Sequence, residues 1–209
     1  EPSPTVLVAL ARSLSTLKGY TEVLVELLEH PSPEVSLEAF ASLALTDATQ
    51  LADSKLMTFV QRGRFRERLS LIETMERIVK SVGKEALPVM GSVITKMMED
   101  EAEAVRTAIF GLIRQIKSAD GDDWVKQVVV PVIRQMIQSS DYQIRQSAIR
   151  GIFELDLSDL FSEEINGVVN DSISNVRITL AKSLPNDSPL LGKLATDPVQ
   201  DVADYAKRG

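Results

Sequence analysis

Asn175-Val176-Arg177-Ile178-Thr179-Leu180-Ala181-Lys182-Ser183-Leu184 is the stretch from which the fold can be read. Val176, Leu180 and Leu184 recur one helical turn apart, which predicts a helix. Ile178 falls on the opposite side, so the helix is apolar on more than one face. An ordinary surface helix carries one apolar stripe, whereas a helix held between two neighbours carries more. The helix opens just past the turn-rich Asn170-Asp171-Ser172. Its first residues are an apolar anchor, then a basic residue, then a small or apolar residue three further on.

That opening recurs. It is found as Val35-Ser36-x-x-Ala39, Phe65-Arg66-x-x-Leu69, Val105-Arg106-x-x-Ile109, Ile144-Arg145-x-x-Ala148, Val176-Arg177-x-x-Leu180 and Val202-Ala203-x-x-Ala206. Successive anchors are 30, 40, 39, 32 and 26 residues apart, a range that surrounds the period of two-helix solenoid repeats. The last interval is short for two full helices, so an abbreviated C-terminal unit is expected.

Each anchor opens a helix. From Val105 the apolar residues Ala108, Ile109, Leu112, Ile113 and Ile116 keep helical spacing. From Ile144 the stripe is Ala148, Ile152 and Leu155, with Tyr142, Ile149 and Phe153 as a second one. A further helix is expected before each anchor, over residues 20–29, 50–61, 84–99, 124–138, 158–169 and 188–195. Residues 6–17 read as a second helix whose first is missing. Short polar turns with capping residues join the two helices of a pair, such as Ser139-Ser140-Asp141, Asn170-Asp171-Ser172 and Thr196-Asp197-Pro198. Pro88 and Pro131 fall near the start of first helices, and Pro131, following Val128, Val129 and Val130, predicts a bent one. The expected fold is all-α: a single α-α superhelix of about six and a half helix pairs over residues 1–209. The chain starts at Glu1 and enters a helical pattern by Val6, so a fragment or trimmed form of a longer scaffold is expected.

Composition narrows the function classes. Apolar residues make up 44%, charged residues 25% and aromatics 5%, a core-forming and helix-leaning mixture. There is no cysteine, which excludes disulfides, thiolate metal sites and cysteine nucleophiles. His30 is the single histidine, which excludes multi-histidine metal centres. The net charge of −7 argues against nucleic acid as a partner, because neutralising phosphates needs a basic surface. No apolar run is long enough to span a membrane, and no signal peptide is visible. The expected compartment is the cytoplasm, with the nucleus as a second.

In a stacked repeat the apolar anchors form a spine, because a lone helix pair cannot bury its own face. The basic residues beside the anchors, Arg66, Arg106, Arg145 and Arg177, are expected to point off the core. There they would pair with a turn carboxylate of their own or the next repeat, such as Asp100, Asp141 or Asp171. Such a ladder would orient successive units, each exposed pair contributing about 0–1 kcal/mol.

An apolar-Arg-x-x-apolar pattern after an Asp-rich turn, on a period near 40, resembles a HEAT repeat over most of the chain. From Trp124 onward the order is Val129-Val130-Pro131, Asp141-Tyr142-x-x-Arg145, Asn175-Val176-Arg177, Ala181-Lys182-Ser183-Leu184, Leu194-x-Thr196-Asp197 and Asp201-Val202-x-x-Tyr205-Ala206. This succession is similar to the C-terminal repeats of the scaffold (A) subunit family of protein phosphatase 2A. The spacing of 14 from Pro131 to Arg145 is similar to that family's repeat.

The resemblance implies an armadillo-like helical scaffold without catalytic power. The turns within its repeats would form a ridge holding a phosphatase catalytic subunit, with a regulatory subunit on more N-terminal repeats. By position the ridge would include Ser140, Asp141, Tyr142, Asn170, Asp171, Asn175, Asp197 and Pro198. No cofactor, metal or small-molecule substrate is expected. The alternative is a HEAT-repeat module of a transport receptor or other large assembly, gripping a peptide on its concave face. The chain departs from the family in four places. Residues 155–170 and 185–194 are shorter, and residues 84–106 hold about one extra turn. The turn at residues 99–103 is acidic and lacks a tryptophan. The chain also holds fewer than half of a full scaffold's repeats.

Other chemistry has bland readings. His30 sits at a helix end, where a cation complements the dipole. The acidic Glu99-Asp100-Glu101 with Glu103, and Asp120-Gly121-Asp122-Asp123, lack the ligand spacing of an EF-hand loop and read as helix N-terminal charge and solvated turns. Arg62, Arg64, Arg66 and Arg68 form one basic run, read as inter-repeat pairing with a partner contact as the alternative. Trp124 reads as a core or inter-repeat plug, or else as an interface hot spot.

Overall fold

The structure, a computed structural model, describes residues 2–17, 19–46, 57, 59–61 and 63–207. Among these residues every regular element is helical and there is no strand, as the periodicity predicts. The expected helix over residues 50–61 lies largely outside the described residues; residues 57 and 59–61 are helical. The chain divides into two compact units, Glu1–Asp123 and Trp124–Gly209.

The first unit holds α1 (Pro4–Leu14), α2 (Thr21–Leu28), α3 (Pro33–Thr46) and α4 (Phe65–Val82), then a 3-10 turn (Gly83–Ala86), α5 (Leu87–Met97) and α6 (Glu103–Ile116). Pro4 and Pro33 start α1 and α3, where the missing N–H would be unpaired anyway. Glu67 reaches back to the Arg64 N–H at 2.8 Å and closes the first turn of α4. Gly83, at φ 66, ends that helix in a conformation that glycine adopts freely. Pro88 falls in the first turn of α5, where it costs no hydrogen bond.

Packing runs from each second helix to the next. α1 packs on α3, α3 on α4 and α4 on α6, while α2 lies on α3 and α5 on α6. Because α3 is covered by α1, α2 and α4, residues 35–44 are buried without a break. In α6 the predicted stripe of Val105, Ile109, Leu112, Ile113 and Ile116 is buried, its Ala108 is half-buried, and Phe110 joins it. Each such side chain contributes roughly 1.5–3 kcal/mol, as an upper figure.

The second unit holds α7 (Val130–Ile137), α8 (Tyr142–Glu154), a 3-10 turn (Ser158–Phe161), α9 (Ser162–Val168), α10 (Ser174–Ser183), α11 (Pro189–Leu194) and α12 (Gln200–Ala206). α8 packs on α10 and α10 on α12; α7 lies on α8, α9 on α10 and α11 on α12. With six residues, α11 explains the short final interval.

Three expectations take a more detailed form. Residues 158–169 are not one helix: the chain makes a 3-10 turn first, and the fully buried Phe161 marks the junction with α9. Pro131 lies in the first turn of α7, behind an irregular stretch. Residues Val125–Val129 widen into a π-turn, with the Val130 N–H donating to the Val125 carbonyl five residues back. A π-turn of this kind relieves the clash and the lost donor that proline brings to a helix. The opening helix α10 lies between α8 and α12, but Ile178 is only half-buried. Val176, Arg177, Thr179, Leu180 and Ala181 carry the burial.

Beyond α6 the chain reverses through Ala119 (φ −94, ψ 37) and Asp120 (φ 67, ψ 27). Gly121 follows because a Cβ there would sit 2.5 Å from the Ile116 carbonyl oxygen. Asp120 pairs with Lys84 at 2.6 Å, so this acidic loop is tied to the start of the α5 segment.

Candidate functional site

The turns before α8, α10 and α12 are built on one device. An Asp carboxylate accepts the N–H two residues on: Asp141 from Gln143 at 2.8 Å, Asp171 from Ile173 at 2.9 Å and Asp197 from Val199 at 2.8 Å. Asp100 does the same for Ala102 at 2.8 Å, before α6. Such turns give the first orphan N–H groups of a helix a partner.

Of the arginines beside the anchors, Arg66 points off the core as expected, but Arg106, Arg145 and Arg177 do not. Arg106 is 2% and Arg177 8% exposed. Each folds back onto its own turn. The Arg106 Nη1 donates to the Asp100 carbonyl at 2.6 Å, Arg145 to Ser139 at 2.8 Å and Arg177 to Asp171 at 2.6 Å, every acceptor lying six residues earlier. Two of these guanidinium groups also reach the next turn. Arg145 donates from Nε and Nη2 to both Asp171 oxygens at 2.7 and 2.9 Å. Arg177 donates in the same way to Asp197 at 2.6 and 2.9 Å. These are fork-on-fork pairs, stronger and more directional than exposed ion pairs.

In the first unit the clasp is made by Arg68, not Arg66. Its Nη1 donates to the Gly63 carbonyl at 2.8 Å, and its Nε and Nη2 lie 2.7 and 3.1 Å from the Asp100 carboxylate. Glu101 adds a contact to Nη2 at 3.2 Å. The anchor register of α4 is therefore two residues later than Phe65-Arg66 suggests, and Phe65 is left 44% exposed. Of the basic run, Arg64 and Arg66 are exposed, while Arg62 lies outside the described residues. Ser36 takes the arginine's place in α3, its hydroxyl donating to the Leu28 carbonyl at 2.6 Å.

A second tie had no sequence signal beyond its spacing. The buried Glu38 of α3 accepts from Arg12 of α1 (3.2 and 3.1 Å) and from Arg77 of α4 (3.2 Å). Burial works to raise the Glu38 carboxyl, but hydrogen bonds and charge from the two arginines outweigh it and hold it below its ordinary value. Asp171 is likewise held low: burial opposes, and Arg145, the Ile173 N–H and the Arg177 charge prevail. Asp197 is held low chiefly by the Arg177 hydrogen bonds, against burial.

These ties sort the candidate ridge residues. Asp171 and Asp197 are half-buried, with both oxygens of each carboxylate engaged inside the fold. Ser140, Asp141, Tyr142, Asn170, Asn175 and Pro198 are exposed. The carbonyls of Ser140 and Asn175 are spoken for, by Arg145 and by Gln146 and Thr179. Two exposed apolar residues escaped the sequence reading: Ile173 (38%) and Val199 (36%), matching Tyr142 at 37%. The signal was present, since both follow an Asp by two residues, and both donate their N–H to it.

Trp124 is half-buried, between its two readings. The His30 Nδ1 accepts the Ser32 N–H at 3.1 Å in the α2–α3 turn. Among the described residues no group of three or more His, Cys, Asp or Glu is arranged to hold a metal ion, and no helix is long and apolar enough to cross a membrane. Compared with known proteins, the chain matches no family model and no curated protein.

Proposed function

We propose that the chain is a HEAT-repeat solenoid of about six and a half helix pairs serving as a non-enzymatic scaffold. In this reading the turn ridge of the second unit holds a 2A-type protein phosphatase catalytic subunit, and a regulatory partner sits on other repeats. The supporting observation is the clasp that runs from Arg145 to Asp171 and from Arg177 to Asp197, leaving Tyr142, Ile173 and Val199 exposed beside it. Fixed turns with an apolar residue in each are suited to contact a protein surface, because little side-chain or loop ordering is lost on binding. The mechanism would be effective concentration: two partners held on one chain meet more often than free in solution. The test is equilibrium binding of a purified 2A-type catalytic subunit to the chain, with saturable 1:1 binding expected and none overturning the reading.

A second reading, a module gripping an extended peptide along its second helices, draws on a polar furrow of about 390 Å³ between α8 and α10. Gln146, Arg150, Asn175 and Lys182 line it. Binding that is lost with Arg150→Ala and Lys182→Ala, and kept when the turn residues change, would favour it.

A further inference from the structure

The two segments that read as abbreviated, residues 155–170 and 185–194, come together in the second unit around a furrow of about 670 Å³. That volume is within the range of ordinary ligand pockets, roughly 300–1,000 Å³. Its apolar lining comes from four elements: Phe153 at the end of α8, Ile165 of α9, Leu184 just after α10 and Leu190 of α11. Asp156 and Asp159 stand exposed among the lining residues, and no Lys, Arg or His lines the furrow. None of these side chains belongs to the turn ridge. The charge is one-sided on an apolar floor, which selects the chemistry of an occupant.

We propose that this furrow binds a short linear peptide carrying a bulky apolar residue flanked by lysine or arginine. The apolar side chain would displace water from Phe153, Leu184, Pro185 and Pro189, lining residues that are half-buried or exposed, which supplies the driving force. The two carboxylates would set the preference for cations and against acidic segments, an effect that weakens with salt because both are exposed. The site is independent of the phosphatase reading.

The experiment is a selection of a random dodecapeptide phage library on the purified 209-residue chain, followed by fluorescence-anisotropy titration of the enriched peptides. Two variants keep it decisive. Asn166→Trp introduces a bulky ring on an exposed α9 residue that lines the furrow, and Asp156→Asn with Asp159→Asn removes the charge without changing shape. The expected peptides carry an aromatic or leucine within two residues of lysine or arginine. They should lose about tenfold or more on Asn166→Trp and about five- to tenfold on the charge variant, with weaker binding at high salt. Acidic or unpatterned peptides, no enrichment, or affinities that neither variant changes would overturn the proposal. Should Asn166→Trp shift the unfolding midpoint, the charge variant decides alone. Enrichment of purely apolar ligands insensitive to that charge change would assign the furrow to a small apolar molecule instead, also overturning it.

Discussion

Arg145 and Arg177 meet at one residue. Asp171 gives both carboxylate oxygens to Arg145, and its backbone carbonyl accepts from the Arg177 Nη1 at 2.6 Å. The Asp171 turn is thus held from two sides, by Arg145 before it and by Arg177 after it. A displacement of one turn strains both contacts, so the row behaves as a chain of linked clasps and not as separate ion pairs.

That linkage predicts strong coupling. In a double-mutant cycle of Arg145→Ala and Asp171→Ala, the coupling energy should be about 1–3 kcal/mol. An exposed ion pair would give less than about 1 kcal/mol. Trp124 is the single tryptophan of the chain, so its fluorescence during urea unfolding follows the second unit. Arg145→Lys should recover little of the loss, because an ammonium cannot hold two carboxylate oxygens and the Ser139 carbonyl in one plane.

The clasps also fix a pH dependence. Asp171 and Asp197 are held below the ordinary aspartate value in the folded state. Their contribution is therefore fully present above about pH 4–5 and is lost as pH falls through the lowered folded values. Stability should drop on acidification below about pH 4, and the gap between the native chain and Asp171→Asn with Asp197→Asn should narrow over the same range. A gap that stays constant from pH 6 to pH 2.5 in urea titrations would contradict the assignment.

Two glycines should respond in opposite directions. At Gly121 a methyl group would meet the Ile116 carbonyl oxygen at 2.5 Å, so Gly121→Ala should destabilise by about 1–3 kcal/mol. At Gly111, inside α6, the added group meets nothing within 4 Å. Gly111→Ala should stabilise by about 0.5–1 kcal/mol through helix propensity. Thermal unfolding of the two variants checks both signs.

Much of the fold was legible because the apolar residues within its helices keep helical spacing. In α6 the offsets from Val105 to Ile116 admit no strand, and the short α11 follows from one short interval. The register of α4 was not legible. Phe65 looks like an anchor and the alternating arginines offer several candidates, and only the burial of Arg68, Leu71, Ile72 and Met75 chooses between them. The clasps were half legible: the arginines and turn aspartates could be picked out, but their burial could not. An arginine 26 residues from its partner looks like any surface cation until the turns are stacked. Asp171 is legible as a carboxylate partner of the ladder arginines, and Arg145 pairs with it; the engagement of the Asp197 carboxylate by Arg177 has no such signal. Ile173 and Val199 were passed over because each sits outside the helical stripe.

The exposed row should be dispensable for folding. Replacing Tyr142, Ile173 and Val199 by serine should leave the unfolding midpoint of the second unit nearly unchanged, each costing within about 0.5 kcal/mol. A large drop would mean that these residues pack within the fold.

The most direct measurement is the affinity of a purified 2A-type catalytic subunit for the chain and for this triple variant, by isothermal titration calorimetry. A ridge of fixed turns predicts 1:1 binding to the native chain that weakens at least tenfold in the variant, with Asn166→Trp in the separate furrow having no effect. Absence of binding to the native chain, or equal affinity for the triple variant, would contradict the account.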